Sequence, residues 1–576
     1  MHSESYIPGK DAPLEATIAT LQGQLDALGF HVEPQSWLNP VEGVWSVHVR
    51  DRDCPLMFTN GKGGSRLAAL ASALGEFFER LATNYFWNHY YLGYPVAEGR
   101  KRAFVHHPQE KWFALDDEES WPEDLLTPDL QALYNPRNGI TPEALVDFNS
   151  GNAERGICAL PYVRQRDGAT VYFPVNIIGN LYVSNGMSAG NTAAEARTQA
   201  LSEIFERHIK FRIISEGLCL PDVPDAVINR YPQIAAGIAG LRDAGFGILV
   251  KDASLGGNFP VMNVTLLNPH DQGCFSSFGA HPRFEIALER ALTELLQGRA
   301  LDALGGFPAP GFDMEEIASS PNIEIHFVDS SGIIGWNFLG NAPDFDFFDW
   351  NFSTTTQEDY AWLVQAVHAM GKDIYIADFT HLGVYACRIL VPGMSEIYPI
   401  DELEFENNSV ANSLREPICH LPDLDEQERC DLLDALNDSG IADDRLVAPL
   451  IGLAPGDDPF WKDLRTGELK TLLALAVSDD AAIGEGCQWI RQFAQINPQR
   501  LRVYACIDDL HGMEDPAAFE HALHMLYGSA TVSQAQAMLR GEQCFFDQPA
   551  LGLDLGNCAM HQQLIAAYAK LYPEKH

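Results

Sequence analysis

Glu76, Glu79 and Arg80 follow Ser72 at helical spacing, and the same register returns twice, as Gln199, Glu203, Glu206 and Arg207 and then as Arg290, Glu294 and Gln297. Aligning Glu76, Glu203 and Glu294 also aligns Leu74, Leu201 and Leu292, so the repetition extends to the apolar side of each segment. If the three polar stripes converge, Glu76, Glu79, Glu195, Glu203, Glu206 and Glu294 share one site. Crowded carboxylates repel and raise one another's pKa unless cations neutralise them. The cations within the motifs are Arg80, Arg207 and Arg290, too few to balance the acids. Mg2+ is the natural complement, because it takes oxygen ligands and is usually shared between a few carboxylates and substrate phosphates. The spacing therefore predicts a nucleoside triphosphate held through Mg2+, with arginines on the phosphate oxygens.

Each stripe needs an element to carry it. Val44 to Arg50 with Pro55 to Thr59, Thr170 to Val175 with Asn180 to Val183, and Val261 to Leu267 with Cys274 to Phe278 read as strand pairs rich in β-branched and aromatic residues. Small-residue turns follow, among them Gly61-Lys62-Gly63-Gly64 and Ser188 to Asn191, and then a helix. A fourth strand pair, Asp373 to Ala377 with Val384 to Val391, has no helix after it. The predicted fold class is α+β, three β-hairpin–helix units whose helices cover sheet faces. In the first helix Leu67, Leu70, Leu74, Phe77 and Leu81 form the apolar face, and the rest of the polar face is Ala68, Ala69, Ala71, Ala73 and Gly75. A solvated face would carry Lys, Glu and Arg there, so this one is expected to meet close-packed neighbours.

Standard nucleotide motifs are missing. Gly61 to Ser65 lacks the Gly-x-x-x-x-Gly-Lys-Ser/Thr spacing and reads as a turn into a helix, with Lys62 a surface or turn lysine rather than a phosphate ligand. No Gly-x-Gly-x-x-Gly lies between a strand and a helix, and no His-Glu-x-x-His occurs.

The three acidic segments, with Pro8-Gly9-Lys10, Asn185 to Asn191 and Arg388-Ile389-Leu390-Val391-Pro392-Gly393, resemble the ATP-binding signatures of the YcaO family over about residues 1 to 405. The resemblance implies Lys10, Thr17, Ser72, Asn191, Glu195, Arg207 and Arg290 as ATP contacts, Thr17 near the base. It implies Glu76, Glu79, Glu203, Glu206 and Glu294 as Mg2+ ligands, directly or through water. It also implies an ATP-using protein that phosphorylates a backbone amide oxygen, and a homodimer. Azoline-forming members end in a Pro-rich tail, whereas this chain ends Lys570-Leu571-Tyr572-Pro573-Glu574-Lys575-His576, which disfavours azoline formation. Stand-alone members are linked instead to β-methylthiolation of an aspartate in small-subunit ribosomal protein twelve, beside a radical-SAM methylthiotransferase. A non-catalytic adaptor switched by nucleotide is the second function class.

Composition bounds these readings. The chain has 576 residues and 46% hydrophobic content, enough for two to four domains. A net charge of −41 argues against a nucleic-acid backbone as partner and leaves room for a basic protein. The start lacks a basic region before an apolar run and no 18-residue apolar stretch occurs, so a cytoplasmic protein without membrane contact is expected. The 11 cysteines are scattered with no Cys-x-x-Cys, which argues against disulfides, zinc or an iron–sulfur cluster. His106 and His107 are expected to be solvent-exposed rather than ligands, and Cys387 a packed apolar side chain.

Three regions follow. Residues 1–405 form the ATP/Mg2+-binding domain, within which 98–155 is an insertion with a solvated run Asp116-Asp117-Glu118-Glu119. Residues 406–428 are a connector. Residues 429–576 show apolar residues at helical spacing, in Cys430 to Leu436, Gly467 to Ala476, Ala481 to Ile496, Ala517 to Tyr527, Val532 to Leu539 and Met560 to Leu571. Trp461-x-x-Leu464 and Gly467-x-x-Lys470 give a degenerate tetratricopeptide-like echo, leaving a plain bundle and a stacked-repeat docking platform both open.

Overall fold

A computed structural model of the protein describes residues 4–93, 105–115, 120–401, 403, 409–493 and 495–571. The acidic run 116–119, the connector residues Glu404, Glu406, Asn407 and Asn408, and the last five residues lie outside the described residues. The chain forms two compact units, one of Met1–Asn88, Val105–Val146 and Glu154–Asn407, the other of His89–Phe104, Asp147–Ala153 and Asn408–His576.

The first unit is mixed α+β with antiparallel sheets. After α1 (Leu14–Ala27), strands β1 (Val32–Val41), β2 (Val44–Asp51) and β3 (Phe58–Gly63) form one sheet in sequential order, and α2 (Arg66–Ala82) follows. The register Trp45↔Gly63 to Arg50↔Phe58 starts the second strand of the expected hairpin later than its composition suggested, and β1 adds a strand that was not expected. Pro34 and Pro40 mask the strand signal of β1, but proline is tolerated on an edge strand, and bulges interrupt its register at Pro34/Ser36 and Leu38/Val41.

Strands β4 (Lys111–Phe113), β5 (Ile157–Arg164), β6 (Thr170–Pro174) and β7 (Met187–Gly190) belong to a second sheet; α3 (Pro128–Tyr134) lies between β4 and β5, and the long α4 (Ala193–Glu216) follows β7. Here the hairpin expectation fails. Residues 175–182 are helical, with Ile178, Leu181 and Tyr182 buried at helical spacing and Asn176 Nδ2 donating to the carbonyls of Ala144 and Val146 at 2.9 and 3.0 Å. A short apolar run satisfies either periodicity, and these backbone-directed amides decide for the helix.

A third sheet contains β8 (Gly247–Asp252), β9 (Val261–Leu267) and β10 (Cys274–Ala280), with α5 (Pro232–Asp243) before it and α6 (Phe284–Leu295) after. Then α7 (Ser320–Val328) and α8 (Thr356–Ala369) lead to the fourth pair, β11 (Tyr375–Phe379) and β12 (Tyr385–Leu390). That pair completes the second sheet, in the order β4-β5-β11-β12-β7 with β6 also on β5. Cys387 faces Ser188 in the β12–β7 ladder, so the strand that feeds α4 finds its partner about two hundred residues downstream.

In the second unit α9 (Asn412–Cys419), α10 (Glu426–Asp438), α11 (Thr466–Val477), α12 (Asp480–Phe493), α13 (Pro498–His511), α14 (Glu520–Tyr527), α15 (Ser529–Leu539) and α16 (Ala559–Leu571) enclose one apolar core containing Trp461, Leu472, Ile490 and Ile507. Helix α13 is not among the helices expected from apolar spacing, although Asn497 caps it by accepting from Gln499 N at 2.9 Å and Pro498 sits at its first turn. Tyr91 N donates to the Gly452 carbonyl at 2.8 Å, and Arg415 Nη2 donates to Asn149 Oδ1 at 2.5 Å, so chain from around residues 91 and 149 belongs to this helical core.

Candidate functional site

Glycines set how the site helices lie on their strands. A Cβ at Gly61 would overlap the Ala69 carbonyl and the Ala73 nitrogen, and one at Gly279 would overlap the Ala287 carbonyl and the Ala291 nitrogen. Thr59 Oγ1 donates to the Ala73 carbonyl, and Ser277 Oγ donates to the Ala291 carbonyl, each at 2.8 Å. At β7 the equivalent close approach is Gly190, whose Cβ would stand 2.9 Å from the Ala196 nitrogen. Removing the Cβ lets a helix backbone settle directly on a strand, which fixes its rotation and presents the same stripe each time. Ala68, Ala69 and Ala73 are buried by this crossing, as their composition suggested, whereas Leu67, read as part of the apolar face, is 38% exposed. Side chains cap two of the helices: Ser65 accepts from Ala68 N, and Thr192 accepts from Glu195 N.

The stripes of α2, α4 and α6 meet. Glu76 pairs with Arg80 at 2.5 Å and Glu203 with Arg207 at 2.8 Å, both one turn apart. Glu294 pairs with the ammonium of Lys62, which also donates to Gln297 Oε1 at 3.2 Å. Glu79 and Glu206 make no ion pair among the described residues. Burial, and then the charges of Glu76 and Glu203, push the Glu79 carboxyl well above its usual range. Burial raises Glu203 as well, with Arg207 opposing and Glu206 and Glu76 adding to it. Carboxylates of two different helices thus act on one another directly.

A second cluster lies at the start of α4. Glu195, buried, accepts from Lys10 Nζ at 3.2 Å, from Asp11 N at 3.0 Å and from Asn191 Nδ2 at 3.0 Å, and Thr17 Oγ1 donates to Asn191 Oδ1 at 3.0 Å. Arg290 faces the acids of α4. Its guanidinium donates to the Ala280 carbonyl at 2.8 Å and to Gln199 Oε1, and burial lowers its pKa, with Glu206 and Glu203 opposing. His281, which the sequence reading passed over, is buried beside it. Burial and then the cations Arg290, Arg283 and Lys10 hold its pKa well below the usual histidine range, with Asp359 Oδ2 3.8 Å from its Nε2. Ser72 is exposed on α2 and its side chain joins neither cluster.

Two readings need correction. Lys62 is not a surface lysine: its side chain is 28% exposed, and burial lowers its pKa against the raising effect of Glu206 and Glu76. With Lys10, it brings to the acids cations that the motif spacing had not counted. His107 is buried at 5% exposure, its ring on Phe379 at 4.9 Å and its Nε2 3.3 Å from the Asp378 carbonyl. Cys387 is buried and burial drives its thiol pKa up, in keeping with a packed side chain.

Among the described residues, no three His, Cys, Asp or Glu side chains stand close enough to hold a metal ion, and Glu76, Glu203 and Glu294 are engaged by Arg80, Arg207 and Lys62. The donor set still suits a hard cation and an anion: carboxylates from three helices, two of them without ion pairs, beside guanidinium nitrogens Arg207 Nη1 and Arg80 Nε that are buried without a hydrogen-bond partner.

Comparison with known proteins bears on this site. The family model described as YcaO cyclodehydratase, ATP- and Mg2+-binding, matches residues 60–395, and that of the YcaO cyclodehydratase C-terminal domain matches residues 411–576. The chain is 49% identical over 582 residues to the ribosomal protein S12 methylthiotransferase accessory factor YcaO of Escherichia coli (strain K12), covering 100% of this chain and 99% of that one. It is 48% identical over 588 residues to a protein of Haemophilus influenzae, covering 100% and 99%. Among solved structures, YcaO from Methanopyrus kandleri bound with AMPPCP and Mg2+ is 18% identical with a TM-score of 0.42, covering 68% of this chain and 95% of that one. A heterocyclase in complex with substrate and cofactor is 18% identical with a TM-score of 0.43, covering 66% and 52%. No helix among the described residues is long and apolar enough to cross a membrane.

Proposed function

The chain belongs to the YcaO family, and from that premise we propose that it binds ATP with Mg2+ and uses it to activate a backbone amide or to assist β-methylthiolation of an aspartate in small-subunit ribosomal protein twelve. The observation that carries this reading is the meeting of acids from α2 and α4, joined through Lys62 by Glu294 of α6, with arginines that keep unsatisfied donors. Glu76, Glu79, Glu203, Glu206 and Glu294 would hold the metal, and Arg207 and Arg290 would take phosphate oxygens. Mg2+, when bound, supplies positive charge between these carboxylates and the triphosphate. Lys10 and Asn191 both bond Glu195 and tie the N-terminal segment to α4, and Thr17, bonded to Asn191, would lie toward the base. Ser72, exposed one turn before Glu76, is the most peripheral of the proposed contacts.

The helical unit is the proposed docking surface, tetratricopeptide-like in kind, for a radical-SAM methylthiotransferase or its ribosomal substrate, in a cytoplasmic homodimer. The strong negative charge of the chain suits a basic partner and not a nucleic-acid backbone. A second reading, an adaptor in which nucleotide only switches conformation, is favoured by the accessory-factor name of the Escherichia coli relative. Azoline formation on a ribosomal peptide is the least supported use of the site. The deciding experiment measures ATP turnover with the purified ribosomal protein and methylthiotransferase present or absent. Turnover that requires them supports the enzyme, whereas binding without turnover together with restored modification in cells supports the adaptor.

A further inference from the structure

Lys62 has no counterpart in the other two units, where Ala189 and Ala280 occupy its register. Gly61 and Gly63 turn toward α2, where a Cβ at either would collide with Ala69, Ala73 or Ala68. Alternation along β3 therefore sends the Lys62 side chain to the opposite face, where Ser46 on the paired strand accepts from Gly298 N at 3.2 Å just beyond α6. There the ammonium meets Glu294 and Gln297.

The third helix departs from the others just after its glutamate, where Gly298 also replaces the arginine of Arg80 and Arg207. Where α2 and α4 carry Glu79 and Glu206, α6 is followed by Gln297. Its amide is used in both directions: Oε1 accepts from Lys62, and Nε2 donates to the Asn60 carbonyl two residues earlier on the same strand. A carboxylate could do only the first. Gln297 thus clamps the β3 backbone and its lysine together, and the lysine supplies charge to the acids.

We propose that Lys62 is a resident counter-cation, occupying the place of a divalent ion among the acids until Mg2+ arrives with nucleotide and takes Glu294 from it. The proposal rests on the reading of these glutamates as Mg2+ ligands. Glu294 cannot serve Lys62 and the metal equally, so the two cations compete for it. The lysine keeps the empty cluster from repelling itself and makes metal binding alone weak, which favours entry of metal and nucleotide together. Competition of this kind is a coupling free energy, and its usual size corresponds to about fivefold or more in affinity.

The test uses the full-length protein and two probes, Mg2+ alone and Mg2+ with ATP, followed by calorimetry and by melting temperature. Lys62→Met should lower the metal-free melting temperature and raise the affinity for Mg2+ alone by about fivefold or more. Lys62→Arg, which keeps the cation, should behave as the wild type does. Should Lys62→Met fail to fold, Lys62→Gln, which keeps a donor toward Glu294, is read in its place with the same expected signs. An unchanged affinity for Mg2+ alone overturns the proposal, as does a loss of ATP affinity with no gain for the bare metal, which would make Lys62 a phosphate ligand. If the wild type binds ATP equally well without Mg2+, the assignment of the glutamates fails first and takes this proposal with it.

Discussion

Lys10 Nζ donates to Glu195 Oε1 at 3.2 Å across 185 positions of chain, so the N-terminal segment is built into the site instead of trailing from it. Glu195 is buried on α4, so Lys10 both neutralises a buried carboxylate and borders the ligand site. Lys10→Ala should weaken Mg2+-dependent ATP binding by about tenfold, the size of a hydrogen bond to a charged group, and should lower the melting temperature, because it leaves the buried Glu195 carboxylate without its cation. Calorimetric titration beside a thermal melt checks both halves of the expectation.

Arg207 and Arg290 differ in what they already hold. Arg207 pairs with Glu203 and leaves Nη1 unsatisfied, and among the described residues the Arg290 guanidinium is hydrogen-bonded to neutral oxygens of Ala280 and Gln199. Alanine at either position should reduce ATP affinity by about 1.5 to 3 kcal/mol. Arg290→Ala should be the larger loss, because among the described residues no carboxylate is hydrogen-bonded to its guanidinium. Equal ATP affinity in both variants and the wild type, measured by titration, would remove these arginines from the site.

Glu79 gives the site a pH signature in the absence of metal. Its carboxyl is raised well above the ordinary value in the folded protein and is ordinary, near about 4.3, when unfolded. The folded state therefore holds the proton more tightly, and the penalty of ionising Glu79 is fully present above its folded pKa. Stability should rise as pH falls through that pKa and level off below the unfolded value. Metal-free Glu79→Gln should lack this component, so the difference in melting temperature between variant and wild type should narrow from pH 7.5 toward acid. A gap that stays constant over that range would contradict the linkage.

In the helical unit Glu468 on α11 is fully buried and accepts from Arg500 Nε at 2.7 Å, from Arg500 Nη2 at 3.0 Å and from Tyr504 Oη at 3.0 Å. Glu468→Ala leaves the buried Arg500 guanidinium without its carboxylate and should destabilise this unit by about 3 to 5 kcal/mol in urea unfolding. Replacing the pair by Glu468→Leu and Arg500→Met together should recover much of that loss, because an apolar pair leaves no buried charge unsatisfied.

Gly61→Ala should cost about 1 to 3 kcal/mol by forcing α2 off β3. It should also weaken Mg2+-dependent ATP binding through the displaced Glu76 and Glu79. Gly75→Ala, on the same helix with nothing near its Cβ position, is the control and should be neutral or stabilising. Loss of binding in the control as well would mean that the strand–helix crossing is not what aims the acids.

The spacing of glutamates, the glycines before the helices and the leucines behind them are local properties, and they were sufficient to identify three helices with one orientation. Helical periodicity gives the direction in which Glu76, Glu203 and Glu294 point relative to Leu74, Leu201 and Leu292, and small residues mark where backbones touch. Pairing between strands is a different matter. Nothing near Met187–Gly190 indicates that it joins β12, because a strand carries the pattern of the face it buries and not the identity of its partner. The sequence was equally silent on two of the neutralising cations. Lys10 reaches Glu195, and Lys62 reaches Glu294, only because chain folding brings segments far apart in sequence within the length of one lysine side chain. Charge compensation depends on distance in space, so the acids were legible from the sequence, while which of them are paired and which are left for a ligand was decided by the tertiary structure.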